Sequence, residues 1–198
     1  FSLFSYGILV GRFNFKKHIV DLSLNNFPKG SKPLKIVQIS DLHLGSFQRK
    51  DKLLEAVELI NEEKPDLIFF TGDLVNNHAK EAEPFVDTLK QLKAKYGKFA
   101  VLGNHDYADY IGLDLNSEDG RSKWQRNFDE IKSHFANSDF KLLLNETEML
   151  SLDGLEINVV GVENWGDGRF SKYGDLEKAM LSAKEGIPTF LLSHDPTH

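Results

Sequence analysis

The sequence predicts an α/β protein whose sheet is parallel in part. Three features indicate this class: short apolar runs rich in β-branched residues, amphipathic stretches with helical spacing between them, and polar residues directly after the apolar runs. Strands that alternate with helices are typical of parallel sheets. The 198 residues are enough for one domain with a substantial core, and no internal repeat stands out.

The N-terminal residues 1–33 are predicted to be an extension of this domain. Residues 1–11 carry no charge, but spanning a bilayer takes about 20 apolar residues. Two interpretations stay open for this segment: the end of a membrane helix that begins upstream, or an apolar edge segment packed on the domain. Residues 18–25 alternate between apolar and polar side chains, which predicts a half-buried edge strand.

The later elements alternate in type along the chain. Strands are predicted at 34–40, 66–71, 98–102, 140–144, 147–152, 155–162 and 189–193. Helices are predicted at 51–63, 83–96, along the apolar stripe from Trp124 to Phe135, and at 175–184. Gly97 is expected to stop the second helix, and the pair Asp153-Gly154 predicts a hairpin, so part of the sheet is antiparallel. Residues 107–122 are predicted to form a polar loop.

The composition excludes several classes of function. The formal net charge of −6 disfavours a nucleic-acid polymer as partner, because an acidic surface repels phosphates. The absence of cysteine excludes a disulfide framework, thiolate metal ligands and a cysteine nucleophile. With 40% hydrophobic residues and 15 Phe, the chain is too apolar to be disordered.

Four of the predicted strands are followed by residues that can bind a metal. Asp41 and His43 follow the first, Asp73 the second, Asn104 the third and His194 the last. Ligands of open α/β sheets bind at the carboxyl ends of strands, and adjacent strands lie about 4.8 Å apart. If these four strand ends are neighbours, their side chains can converge on one small volume. Carboxylate, imidazole and amide ligands without thiolate suit Mn, Fe or Zn.

In this order, the motifs resemble the signature of calcineurin-like metallophosphoesterases. The blocks ISDLHLGSF, TGDLV, GNHDY and LLSHDPTH carry the resemblance from residue 34 to the end of the chain. With GVENWG, they look like the bacterial, often membrane-associated, YkuE-like branch. The resemblance implies a four-layer α/β/β/α sandwich over 34–198. It also implies association with the cell membrane, which would occur through the N-terminus.

The resemblance further implies a centre of two divalent metal ions. Asp41 and His43 would bind the first ion, Asp73 would bridge both, and Asn104 and His194 would bind the second. The ions would be Mn, Fe or Zn, and a metal-bound hydroxide would attack a phosphate-ester substrate.

Two catalytic roles also come from the resemblance. His105 would not be a ligand but would face the phosphoryl group or the leaving oxygen. Asp106 would orient the imidazole of His105.

The loop containing Asn164, Trp165, Arg169 and Phe170 could grip a substrate, because Arg can pair with phosphate and Trp can stack.

The chain departs from the family pattern near its end. That pattern continues after the His194 position with a Gly-His-x-His block, which completes the two metal sites. Here the last residue is His198, which has no preceding Gly and which we do not interpret as a ligand. We therefore expect a C-terminally truncated domain that lacks at least two ligands, so this fragment could be inactive.

Three hypotheses of function follow. The first is a metal-dependent phosphoester hydrolase. The second keeps the reaction but takes a nucleotide-sugar or lipid-linked diphosphate, such as UDP-diacylglucosamine, and an apolar surface beside the site would favour it. The third is a catalytically incomplete metal-binding or docking module. The intact Asn104-His105-Asp106 motif argues against the third, and the sequence does not indicate an oligomeric state.

Overall fold

The fold contains two stacked sheets, each covered by helix on its outer face. The computed structural model describes residues 7, 11–24, 27–47, 49–166, 172–195 and 197. The loop residues Arg169 and Phe170, the terminal His198 and most of the apolar residues 1–11 lie outside the described part.

The first sheet is parallel throughout and has the order β1-β2-β3-β4. Its strands are β1 (Ile36–Ile39), β2 (Leu67–Thr71), β3 (Gly97–Val101) and β4 (Lys141–Leu142). Every residue of β2 is buried, as expected for a β-branched and aromatic run at the centre of a covered parallel sheet.

The second sheet mixes both directions. Its strands are β5 (Glu146–Leu152), β6 (Leu155–Gly161) and β7 (Thr189–Leu192). β5 and β6 are antiparallel around the predicted Asp153-Gly154 hairpin, whereas β6 and β7 are parallel. The predicted mixture of parallel and antiparallel pairing is thus confirmed.

The described part of the chain includes four α-helices that connect or flank these strands. They are α1 (Lys50–Glu62), α2 (Val86–Leu89), α3 (Glu118–Asn137) and α4 (Leu176–Met180). Short 3₁₀ turns lie at 11–13, 44–46, 79–81, 83–85, 104–107 and 109–111. The Ser117 side chain accepts a hydrogen bond from the Gly120 N–H and thereby caps the start of α3.

Three apolar clusters separate the layers. Alternate residues of a strand point to opposite faces, so β2 sends Phe70 toward α1 and α3 and Phe69 toward the second sheet. Between the sheets, Phe69 packs in one cluster with Ile157 and Val159 of β6. Ala179 of α4 covers the outer face of the second sheet. This α/β/β/α layering confirms the predicted fold class.

The predicted helix over 83–96 is wrong for most of its length. Only α2 is α-helical there, after a 3₁₀ turn at 83–85. Beyond it, the Asn61 side chain accepts from the Lys93 N–H and donates to the Gln91 carbonyl, so tertiary hydrogen bonds replace the helical ones. Gly97 is not a helix stop but the first residue of β3, with a φ of 141°.

The predicted edge strand over 18–25 is also wrong within the described residues 18–24. No strand is assigned there, and Ile19, Val20 and Leu22 are more than 70% exposed. A strand needs a partner. Among the described residues, β1 is hydrogen-bonded only to β2, so the open edge of β1 does not pair with this segment. Lys17, directly before this segment, contacts the domain through an ion pair of 2.6 Å between its Nζ and Glu63 Oε1.

The predicted polar loop over 107–122 is shorter than expected. A 3₁₀ turn at 104–107 ends on its first residue, a second lies at 109–111, and α3 begins at Glu118. Among the residues that the structure describes, no helix is both long enough and apolar enough to span a bilayer.

Candidate functional site

Three of the sequence-predicted ligands meet at the carboxyl edge of the first sheet. Asp41 and His43 follow β1, and Asp73 follows β2. His43 Nε2 lies 3.4 Å from Asp73 Oδ2 and 3.8 Å from Asp41 Oδ1. The Asp73 side chain is almost fully buried, whereas that of Asp41 is half exposed, so one side of this cluster faces solvent.

The backbone at these three positions has an unusual conformation. Asp41, His43 and Asp73 have φ angles of 53°, 45° and 60°, in the left-handed region that residues other than glycine rarely adopt. Hydrogen bonds from Asp41 N to Gly72 O (2.9 Å) and from His43 N to Asp73 O (3.1 Å) hold the two turns together. Such conformations persist where the surrounding structure enforces them, and they cluster at functional sites.

Two glycines allow the turns to approach each other this closely. A Cβ atom on Gly72 would lie 2.5 Å from the Gly103 nitrogen and 2.7 Å from His194 Nδ1. A Cβ atom on Gly103 would lie 2.1 Å from Asp73 Oδ1. Side chains at either position would therefore push apart the segments that carry Asp73, Asn104 and His194.

His194 reaches this edge from the other sheet. The sequence predicted four neighbouring strand ends, but β7 belongs to the second sheet, and that part of the prediction is wrong. The residue still joins the cluster: His194 Nδ1 lies 2.8 Å from Thr71 O, and Nε2 lies 3.1 Å from Asn104 Oδ1 and 3.5 Å from Asp73 Oδ2. The inward face of the second sheet thus contributes to a site built on the first.

The tautomers of the two inner histidines follow from their backbone partners. A carbonyl oxygen only accepts, so His194 Nδ1 donates to Thr71 O, and the neutral ring has its lone pair on Nε2. His105 Nδ1 likewise donates to Asn76 O at 2.5 Å, which leaves its Nε2 with a lone pair. Each ring is held in one tautomer by a backbone carbonyl, as is usual for metal-binding histidines.

The donor atoms form two groups that share Asp73. His43, Asp73 and His105 make one group, and Asp41, Asp73 and His194 make the other, with the donor atoms of each within 4.8 Å of one another. This division differs from the one that the resemblance implies, in which Asp41 and His43 share an ion and His105 binds none.

The residues present fit divalent cations. Donor atoms about 2.0–2.2 Å from one ion lie roughly 3–3.6 Å from each other. The separations of His194 Nε2 from Asn104 Oδ1 (3.1 Å) and from Asp73 Oδ2 (3.5 Å) have this size. In the neutral tautomer of His194 with the hydrogen on Nδ1, Nε2 presents a lone pair to each of these two oxygens, with no hydrogen between. A cation at their centre would turn this repulsion into coordination.

The predicted role of Asp106 is wrong. The Nδ1 atom of the His105 ring is held by Asn76 O and not by the Asp106 carboxylate. The carboxylate accepts instead from the backbone N–H groups of Asp73, Leu74, Val75 and Gly103. Burial raises the pKa of Asp106 to about 7, against the lowering effect of these donors. Asp106 therefore ties the turn after β2 to the turn after β3.

Sequence reasoning missed three side chains near the site. Tyr110 packs against the His105 ring at a tilt of 36°, with centroids 4.6 Å apart, and accepts a hydrogen bond from Asn104 Nδ2. Tyr107 donates to Glu163 Oε1 at 3.0 Å, which joins the turn after β3 to the segment after β6. The blocks GNHDY and GVENWG contain Tyr107 and Glu163, although the sequence assigned neither a role, and no pattern marked Tyr110.

Comparison with known families matches residues 34–198 to the description "Calcineurin-like phosphoesterase". The chain belongs to this family. Members are phosphoesterases, so the predicted class of reaction applies to the family as a whole. The match covers the described turns after β1, β2, β3 and β7, which carry the cluster above.

Similar curated proteins include three from bacteria. The chain is 30% identical to the uncharacterized metallophosphoesterase YkuE of Bacillus subtilis, over 91% of the chain and 56% of that protein. It is 32% identical to the UDP-2,3-diacylglucosamine pyrophosphatase LpxG of Chlamydia trachomatis, over 82% of the chain and 57% of that protein. It is 31% identical to an uncharacterized metallophosphoesterase of Helicobacter pylori, over 85% of the chain and 40% of that protein. The chain thus spans about half the length of these relatives.

Proposed function

We propose that this calcineurin-like phosphoesterase hydrolyses phosphate esters at a centre of two divalent metal ions. One observation carries the proposal: His194 Nε2 lies 3.1 Å from Asn104 Oδ1 and 3.5 Å from Asp73 Oδ2, which are separations that donor atoms around one cation have. The shared position of Asp73 in both donor groups supports its role as the bridging ligand. Asp41 and His43 complete the set on the solvent side.

The two aspartates and His105 would have different tasks in the reaction. Bound divalent ions would supply Lewis-acid activation of a water molecule and of the phosphoryl oxygen. Asp41 and Asp73 balance only part of their charge, which favours an anionic ester. The Nδ1–H of His105 is occupied by its hydrogen bond to Asn76 O, so Nε2 would first take up a proton and then deliver it to the leaving oxygen.

The test uses the full-length gene product and Mn²⁺-dependent hydrolysis of bis(4-nitrophenyl) phosphate. Replacing a residue that is proposed to bind a metal ion directly, in Asp73→Asn or His43→Ala, should lower turnover at least about 100-fold. Asp153→Asn, an exposed hairpin aspartate, should leave turnover unchanged. Unaltered turnover in either ligand variant contradicts the assignment. Tight Mn²⁺ binding without turnover on any mono- or diester would favour the metal-binding module instead.

A second candidate substrate is an amphipathic diphosphate ester. A groove of about 600 Å³ is lined by Ile111 and Leu113, and its charged residues are Lys80, Lys123 and Arg126 together with Glu81 and Glu130. Ile111 directly follows Tyr110, whose ring packs on His105, so one lining residue of the groove is a chain neighbour of a residue at the proposed site. This arrangement and the similarity to LpxG favour a diphosphate that carries acyl chains. Faster hydrolysis of UDP-2,3-diacylglucosamine than of its deacylated form would support it, and equal rates would reject it.

A further inference from the structure

The segment after β2 is held in place by side chains. Each backbone N–H group from residue 73 to residue 79 donates to a side-chain oxygen. Asp106 accepts from the first three of these groups, Glu81 from the next three and Asn127 from the last. The direction of each peptide in this segment therefore depends on these three side chains.

The middle of the segment contains the carbonyl group that binds the proposed catalytic histidine. Asn76 O accepts from His105 Nδ1 at 2.5 Å. The Glu81 carboxylate accepts from three successive N–H groups at this point, those of Asn76 (2.6 Å), Asn77 (3.4 Å) and His78 (3.2 Å). Successive backbone N–H groups can form a concave binding place for an anion, and here the Glu81 carboxylate occupies it.

The peptide unit between Asn76 and Asn77 connects the carboxylate to the histidine. A trans peptide is planar, and its C=O and N–H groups point in opposite directions. Because the N–H group faces Glu81, the C=O group is directed away from Glu81 and toward His105. Without the carboxylate, the three N–H groups would turn to other acceptors, and the Asn76 carbonyl would lose its fixed direction.

We propose that Glu81 is a positioning residue that fixes the Asn76 carbonyl and, through it, the tautomer and direction of the His105 ring. A neutral imidazole can carry its hydrogen on either nitrogen, and this carbonyl keeps it on Nδ1, which leaves Nε2 to take up and deliver a proton. The inference rests on the proposed function, because it assumes that His105 protonates the leaving oxygen. Gly45 leaves room for the arrangement, since a Cβ atom there would lie below 3 Å from Glu81 Oε2.

The first test observes the His105 ring by ¹⁵N NMR of the histidine-labelled, metal-free full-length gene product at about pH 8, where histidine is neutral. Wild-type His105 should be protonated on Nδ1 alone. Glu81→Gln keeps the size of the side chain but replaces one acceptor oxygen by an NH₂ group, and it should give a mixture of the two tautomers. Gly45→Ala should do the same by displacing the intact carboxylate, and it serves if Glu81→Gln does not fold. Glu83→Gln, at an exposed neighbour, is the matched control and should change nothing.

The second test compares two substrates that differ in their leaving group. The anion 4-nitrophenolate leaves readily, whereas phenolate is a stronger base and depends more on a proton from His105. Glu81→Gln should therefore lower kcat about 10- to 100-fold for diphenyl phosphate and less than about threefold for bis(4-nitrophenyl) phosphate. In a His105→Ala background, Glu81→Gln should change kcat less than about twofold, because the ring that it positions is gone.

Two results would overturn the inference. If the His105 spectrum is unchanged in Glu81→Gln and in Gly45→Ala, the Asn76 carbonyl is held without the carboxylate. If Glu81→Gln lowers kcat equally with and without the His105 ring, Glu81 acts through the fold in general and not through the histidine. A wild-type protein that hydrolyses no ester defeats the proposed function instead, and the NMR spectra still decide whether Glu81 fixes the ring.

Discussion

Two turns at opposite ends of the structure use the same pair of residue types in the same conformation. Gly72-Asp73 follows β2 at the proposed metal centre, and Asp153-Gly154 joins β5 to β6. The φ angles are 99° and 60° in the first turn and 50° and 91° in the second. Both therefore place an aspartate in the left-handed region beside a glycine that accepts it readily.

The surroundings of the two turns differ completely. The Asp73 side chain is 4% exposed and accepts from the His105 N–H at 3.0 Å, among three other turns. The Asp153 side chain is 60% exposed and pairs with Lys95 Nζ at 2.7 Å. A left-handed aspartate is thus an ordinary hairpin feature in one place. In the turn after β2, the same conformation points the buried Asp73 carboxylate toward neighbouring ligands. Only the packing around the two turns distinguishes them.

The largest expected effect of this contrast is on stability. In Gly72→Ala, the new Cβ meets Gly103 N and His194 Nδ1 below 3 Å, in addition to the strain of the left-handed residue. We expect a loss of roughly 2–5 kcal/mol in the free energy of unfolding. In Gly154→Ala, the Cβ meets nothing within 4 Å, and only the strain of about 1–2 kcal/mol remains. Urea unfolding of both variants and the wild type measures the difference.

Equal losses in the two glycine variants would contradict the comparison. They would mean that the turns near Asp73 and Gly103 relax enough to admit a methyl group. The Asp73 carboxylate would then not be fixed by close packing, and the short donor distances at the proposed centre would lose their significance.

The same contrast shows how far the sequence determines the fold. Apolar runs such as LIFFT identify buried strands directly, because a covered parallel sheet needs continuous hydrophobic residues. Residues 18–24 alternate correctly for a strand, yet alternation does not supply the partner that a strand needs. The apolar spacing of Phe85, Leu89 and Leu92 correctly predicted burial but not the helix, because the Asn61 side chain takes over the local hydrogen bonds.

For the candidate site, the motif residues could be predicted but their supporting contacts could not. Strand ends carrying Asp41, Asp73 and Asn104 indicated convergence because parallel strands finish at one edge of the sheet. The arrival of His194 from the second sheet depends on how two sheets stack, which no local pattern describes. The partners of Asp106 are backbone N–H groups, including those of Asp73 and Gly103. Almost every residue has such a group, so the residue types in the sequence do not show which ones bind Asp106.

A smaller effect distinguishes the two ends by the pH dependence of stability. At the site end, Glu163 accepts from Tyr107 and Asn145, and burial raises the pKa of its carboxyl above the ordinary 4.5. The unfolded chain therefore loses this proton first, and the free energy of unfolding falls as the pH rises from 4.5 through the raised pKa. Glu163→Gln should remove this decline, as measured by urea unfolding between pH 3 and 8 (roughly the range over which folded carboxyl groups titrate).

The hairpin supplies the matched control with the opposite sign. There the hydrogen bond from Lys95 holds the pKa of Asp153 below its ordinary 3.8, so stability falls as the pH drops below 3.8. Asp153→Asn should flatten the acid side of the profile and leave the side above 4.5 unchanged. If Glu163→Gln also altered only the acid side, its carboxyl would have to be stabilised as the anion, by Lys178 and the two side-chain donors. The carboxyl of Glu163 at the site end would then not be more desolvated than that of Asp153 at the hairpin.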